Sequence, residues 1–369
     1  MTLATVQRWV RRAQGQRLDR VDWSGRERGG RRKASATSPS RENLILRIRR
    51  QLSQESDLGE FGATAIHRSM TERGLKNIPS IRTIGRILLR RGVLDGRGRV
   101  RRPPPPKGWY LPRVAARKAD IDCFDFIEDL CLKGGADVNI LTAISLHGGL
   151  CESWVRDTWS AKATAQMLIS HWRKYGLPEY AQFDNDTIFC GARQFADSYG
   201  RVIRLCLQLG VIPIFAPPHE TGFQSVIESF NGRWQGKVWR RFTFKDHRDV
   251  QAHSDRFTRA ARLRAAPRIE AAPQRRPFPK NWKPDYQRKL TGTVIYLRRT
   301  NGHGELEVQR RTYQLDPLWT NRLVRAEIDF TKGEIRFYRL RRKRPADQEL
   351  ITTAKYVPPT KRFRADDQH

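Results

Sequence analysis

Charge is spread so unevenly along this 369-residue chain that a single uniform domain is ruled out. Residues 1–118 carry 29 basic and 9 acidic side chains, net +20; residues 119–236 carry 9 and 14, net −5; residues 237–369 carry 33 and 15, net +18. Two basic arms therefore flank an acidic middle. The total of +33 would repel itself in a compact molecule without a polyanion to neutralise it. Basic arms suit contacts to phosphate. Acids gathered at the centre of such a chain serve something other than phosphate, and metal cations are the natural counter-ions.

With 38% hydrophobic residues the chain can bury real cores. No stretch approaches the roughly 20 apolar residues that span a membrane. The start, MTLATVQRWVRR, lacks the apolar run of a signal peptide, so the expected compartment is the cytoplasm, with no membrane partner. The five cysteines, Cys123, Cys131, Cys151, Cys190 and Cys206, form no CxxC pair. They read as reduced and mostly buried thiols, not as disulfides or a zinc knuckle.

Punctuation divides the chain further. Residues 1–40 read as a helix at 2–13, with Val6, Trp9 and Val10 on one face, followed by a basic Gly/Ser/Arg linker. Residues 41–100 read as a small helical domain. Leu44, Ile48 and Leu52 make one stripe, and Ala63, Ile66 and Met70 a second. Ser80 is placed to cap a third helix that buries Ile81, Ile84, Ile87 and Leu88. That helix leaves Arg82, Thr83, Arg86 and Arg90 on the surface, the layout of a helix-turn-helix reader of DNA; a three-helix bundle with a solvated basic face is the alternative. The run RRPPPPK within 101–118 is a semi-rigid spacer.

Residues 119–285 alternate strand and helix signals. Strands are expected at 123–127, 139–145, 150–155, 180–183 and 211–215, and helices at 161–175, 193–209 and 224–239. Three strands, helix, strand, helix, strand, helix is the order of a ribonuclease-H-like α/β fold. Residues 286–345 break into short alternating segments separated by turns such as Asn301-Gly302 and predict a small β-barrel. Residues 346–369 read as a loose basic tail. The chain is thus expected to be multidomain: an N-terminal all-α helix-turn-helix, a central α/β ribonuclease-H-like core and a C-terminal small β-barrel.

Three acids sit where this fold can gather them: Asp125 on the first strand, Asp184 at the end of the fourth, and Glu228 on the helix after the last. Cutting a phosphodiester calls for an activated nucleophile and a stabilised leaving oxygen, which two Mg²⁺ ions about 4 Å apart provide. Mg²⁺ takes oxygen ligands, so a few carboxylates suffice, and such acids repel one another without the cations.

The segments DFIEDLCLKGGADVNILTAISLHGG, AQFDN and PPHETGFQSVIESFNGRWQ resemble the three acid-bearing motifs of DDE transposases of bacterial insertion sequences, which have a retroviral-integrase-like catalytic core. The resemblance covers roughly residues 110–285, and TVQRWVRR, PSIRTIGRILLRRG and 292–340 resemble the flanking pieces of the same proteins. It implies a Mg²⁺- or Mn²⁺-dependent polynucleotidyl transferase with Asp125, Asp184 and Glu228 holding two ions. It also implies end cleavage and strand transfer on double-stranded DNA, both element terminal repeats and target, within a homo-oligomeric synaptic complex.

Two positions depart from the pattern. Asp186 replaces the glycine usual after Asp-Asn, and Asp122 replaces a tryptophan, which makes Asp122 (with Asp120 beside it) the alternative first ligand. Asn185 either orients Asp184, touches DNA or caps a turn. Lys237, Arg240 and Arg241 either grip the DNA backbone or form a solvated face. His147 and His219 fit turn or core roles, and Trp154, Trp172 and Trp234 the core. The rival readings are a catalytically inactive domesticated transposase acting as a DNA-binding regulator, and a nuclease of RNA–DNA hybrids.

Overall fold

The computed structural model describes residues 2–21, 23, 37–94, 107–191, 199–220 and 222–357. Most of the Gly/Ser/Arg linker, most of the proline run, the start of the helix expected at 193–209, and the last twelve residues of the tail lie outside them. The chain divides into two units, Met1–Gln54 with Phe61–Gly96, and Glu55–Glu60 with Arg97–His369.

In the first unit, helix α1 (Leu3–Ala13) buries nothing. Its expected apolar face is open, with Val6 43% and Val10 63% exposed. Helices α2 (Pro39–Glu55), α3 (Ala63–Glu72) and α4 (Ile81–Arg90) enclose a core of Ile45, Ile48, Ile66, Met70, Ile84, Ile87 and Leu88. The Ser80 hydroxyl accepts from the Thr83 N–H and caps α4 at 3.3 Å. Ile81, expected inside, is 45% exposed. As the first helical residue it lies ahead of the i, i+3, i+4 stripe set by Ile84, Ile87 and Leu88.

The second unit begins with α5 (Pro112–Ala115) and then runs β1 (Ile121–Cys131), β2 (Asp137–Ser145), β3 (Cys151–Arg156), α6 (Ala161–Tyr175), β4 (Tyr180–Phe183), α7 (Thr187–Cys190), α8 (Arg201–Gln208) and β5 (Ile212–Phe215). Helix α9 (Ser225–Trp234) continues through a π-helical turn, Gln235–Trp239, before α10 (His247–Glu270). Strands β1, β2 and β3 pair antiparallel, while β4 and β5 lie parallel to β1. This mixed α/β order is the one the alternating pattern predicts.

Successive residues of β1 point to opposite faces of the sheet. Phe124 joins the core under α6 and α8 with Trp172, Phe183 and Leu205. Cys123 and Ile127 join the core under α9 and α10 with Phe230, Trp234 and Phe257.

The expected C-terminal barrel is replaced by an extension of this sheet. Strands β6 (Thr293–Arg299), β9 (Leu323–Asp329), β10 (Glu334–Arg339) and β11 (Leu350–Lys355) complete, among the described residues, a nine-stranded sheet ordered β11-β10-β9-β6-β5-β4-β1-β2-β3. Ile295 and Tyr296 pair in parallel with Ile214 and Phe215 of β5. Without them β5 would be a bare apolar edge, which is a template for unwanted pairing. Val294, Tyr296, Val324, Ile328, Ile335 and Phe337 share one core with Phe183 and Phe215, so the strands close against the core and not on themselves. The remaining strands, β7 (Glu305–Val308) and β8 (Arg311–Gln314), form a separate hairpin. The stretch expected as loose tail contributes β11.

Candidate active site

Two adjacent parallel strands supply the first two acids. Asp122 and Cys123 of β1 stand beside Ala181 and Gln182 of β4. Continued for two residues, that register sets Asp125 beside Asp184, which directly follows β4. Glu228 lies in the first turn of α9, and Asn231 one turn further along the same face. Asn231 is buried, and its Nδ2 donates to Asp125 Oδ2 at 2.8 Å. The Thr142 hydroxyl, opposite Asp125 on β2, lies 2.8 Å from Asn231 Oδ1 and 3.0 Å from the Asp125 carbonyl. The Glu228 helix is thereby tied to the strand that carries Asp125.

Burial pushes the Asp125 carboxyl up to about 7, and repulsion from Asp184 and Glu228 adds to it. Burial, with Asp186, Asp129 and Asp184, raises Glu128 as well. The Asp184 Oδ1 accepts from the Asp186 N–H at 2.9 Å, and Glu228 is exposed. An open cleft of about 850 Å³ is lined by Asp184, Asn185, Glu228, Tyr296, Arg298 and Arg310 among others. The donors are all carboxylate oxygens that resist being charged together, which fits a hard divalent cation. Among the described residues, however, no three His, Cys, Asp or Glu side chains, Asp125, Asp184 and Glu228 included, are grouped so that they could hold a metal ion as they stand.

Asp122 is on the wrong face to be the alternative ligand. It is fully buried beneath α6, where Arg275 grips it with two bonds of 2.8 and 2.5 Å and Trp172 Nε1 donates at 3.1 Å. Burial alone would raise its carboxyl, but Arg275 and His171 outweigh this and hold it far below the usual range. Asp120 is also buried and accepts from the Ile121 and His147 N–H groups.

Asp186 caps the short α7 by accepting from the Ile188 N–H at 2.7 Å. Its departure from glycine is thus used locally. Asn185 donates to the Ala216 carbonyl at 2.7 Å and accepts from Arg298 at 2.8 Å, bridging β5 to β6. His147 is buried against the Val114 carbonyl, and His219 takes a left-handed turn (φ 58°) at the lip of the cleft. Trp172 and Trp234 are buried and Trp154 partly so. All five cysteines are free, but Cys131 is exposed and Cys190 half-buried.

The residues expected to touch DNA divide. Arg82 and Arg86 are exposed one turn apart on α4, whereas Thr83 is half-buried and bonded to the cap. Arg90, with Arg91, forms ion pairs with the buried Glu42 and so helps hold α4 to α2. Lys237 donates to the Gly59 carbonyl at 2.8 Å and Arg241 to that of Ser56, so both secure the 55–60 segment. Arg240 remains exposed.

Two residues were missed. Asn231 was findable, since a polar residue three positions after Glu228 shares its helical face. Arg298 was not, because its place beside Asn185 depends on β6 pairing with β5.

No protein-family model and no curated protein matches this chain. Among solved structures, the catalytic core domain of BIV integrase is similar at 18% identity, covering 37% of this chain and 80% of that one, with a TM-score of 0.27. A simian T-cell lymphotropic virus intasome in complex with PP2A regulatory subunit B56 gamma is similar at 12% identity, covering 81% and 96%, with a TM-score of 0.35. Superpositions this loose leave the site to be read from its own residues.

Proposed function

We propose that the protein is a DDE-type polynucleotidyl transferase, a transposase or integrase that cuts and joins DNA. One observation carries the reading: the register of β1 against β4 points Asp125 toward Asp184, which directly follows β4, and Asn231 ties the Glu228 helix to Asp125. Asp125, Asp184 and Glu228 would hold two Mg²⁺ or Mn²⁺ ions. Such ions, when bound, stabilise the attacking and leaving oxygens of a phosphodiester. Asn231 orients the Asp125 carboxylate, and Thr142 steadies Asn231 in turn. Arg298, held by Asn185 and the Ala216 carbonyl, places a guanidinium in the lining of the same cleft, where a DNA phosphate would pass.

In the first unit, α4 would enter a major groove as the second helix of a helix-turn-helix, with Arg82 and Arg86 toward the DNA. The substrates in this reading are the element's terminal repeats and a target duplex. Synapsis of two ends requires more than one copy of the chain.

Asp184→Asn tests the proposal. Cleavage of a duplex carrying the element end, with Mg²⁺ or Mn²⁺, should be lost while gel-shift binding and far-UV circular dichroism stay as in the parent. Retained metal-dependent cleavage would remove Asp184 from the machinery and the proposal with it.

A further inference from the structure

On the sheet face away from the carboxylates, α6 carries two adjoining depressions of about 680 and 530 Å³. The first is lined by residues 278–283 with Arg173, and the second by outer residues of α6 with Trp282 and Pro284. Arg173 and Trp282 belong to both, so the two form one groove. Its cations are Arg173, Lys174, Lys280 and Lys283, and no carboxylate lines it. Lys174 pairs with Glu152; among the described residues Arg173, Lys280 and Lys283 pair with no acid and are exposed.

The aromatic element is built in. Trp282 and Phe278 pack partly into the main core and meet edge to face at 5.6 Å and 88°, with Arg173 over the Phe278 ring at 5.3 Å. The loop reads PFPKNWKP, with three prolines fixing φ and Asn281 in the left-handed region at 58°. A loop held this way loses little freedom on binding.

We propose that this groove binds a single-stranded stretch of DNA, separate from the carboxylate cleft. Three unpaired cations without an opposing acid suit a phosphodiester backbone. A half-buried indole among them offers a stacking face to an unpaired base, which a duplex does not present. A symmetric contact with a second copy would set these cations against themselves, so a self-interface is disfavoured. Nothing here depends on Asp125, Asp184 or Glu228.

The full-length chain, and the same chain with Asp184→Asn, should be photo-crosslinked to oligodeoxythymidylate carrying a photoreactive base, and the adducts mapped by mass spectrometry. The expected adducts fall within 278–284 in both proteins. They disappear with Arg173→Gln/Lys280→Gln/Lys283→Gln, which alters only exposed side chains. The local crosslink yield at subsaturating DNA should fall about five-fold or more with Trp282→Ala. Three results would overturn the proposal: adducts only elsewhere; adducts here with duplex but not with single strand; or no adducts together with a smaller species on sedimentation of the triple variant, which would mark a contact between copies. Because the Asp184→Asn arm is inactive only if the catalytic reading holds, the two proposals fail separately.

Discussion

Replacing Asp125 by asparagine should make the metal-free protein more stable, an unusual result for removal of a charge from a binding site. In the folded chain the carboxyl is raised from the ordinary 3.8 to about 7, by burial first and then by Asp184 and Glu228. The folded state therefore holds this proton more tightly than the unfolded state. The group's favourable contribution is full below pH 4 and is lost as pH rises toward 7. Three pKa units at 1.36 kcal/mol each give a ceiling of about 4 kcal/mol by pH 8. Asparagine keeps an oxygen for the Asn231 N–H and carries no charge at any pH. At roughly 2–4 °C per kcal/mol, that ceiling lets Asp125→Asn raise Tm by up to about 8–16 °C at pH 8 and leaves it nearly unchanged near pH 4. Mg²⁺ should stabilise the parent at pH 8 and the variant much less, since ligands that bind only the folded state stabilise it by mass action. Differential scanning calorimetry at both pH values, with and without Mg²⁺, measures all of this. A lower Tm for Asp125→Asn at pH 8 without metal would refute the argument, because Asp125 would then be an ordinary stabilising ion-pair partner.

Two further outcomes follow from the same structure. Arg275→Met leaves the Asp122 charge buried with its main partner gone, so urea unfolding should show a loss of about 3–5 kcal/mol, and Asp122→Asn in the same chain should restore part of it. Arg82→Gln with Arg86→Gln should lower the slope of log affinity against log salt for duplex DNA by about 2, with helicity unchanged; an unchanged slope would take α4 out of the interface.

Much of this architecture could be read locally. The helix at 161–175 and the strand at 180–183 are found where periodicity and turn residues put them, because Ser160, Gly176 and an unbroken apolar run are signals within a few residues of the element they bound. Strands β6, β7, β8, β9 and β10 were legible for the same reason. Their assembly was not. Whether alternating strands close into a barrel or extend a sheet depends on what covers β5, and that is decided by residues 81 positions apart, such as Phe215 and Tyr296. The fates of Lys237 and Arg241 were hidden in the same way, since the carbonyls they bind belong to a segment about 180 residues earlier.

The sharpest case is the pair Asp122 and Asp125. They differ by three residues, an odd number, so on one strand they must face opposite sides of the sheet. Composition and apolar flanks cannot choose between them, and the motif resemblance favours Asp125 without giving a physical reason. The choice is made by the helices. The face under α6 delivers His171, Trp172 and, from beyond α10, Arg275, so an acid there becomes a buried, fully partnered anion. The face under α9 delivers Glu228 and an amide, so the acid there meets more negative charge. Opposite shifts three residues apart thus follow from which crossover covers which face. An acid whose own fold leaves it short of a cation either keeps its proton or takes a cation from solution, whereas an acid already paired has no use for one.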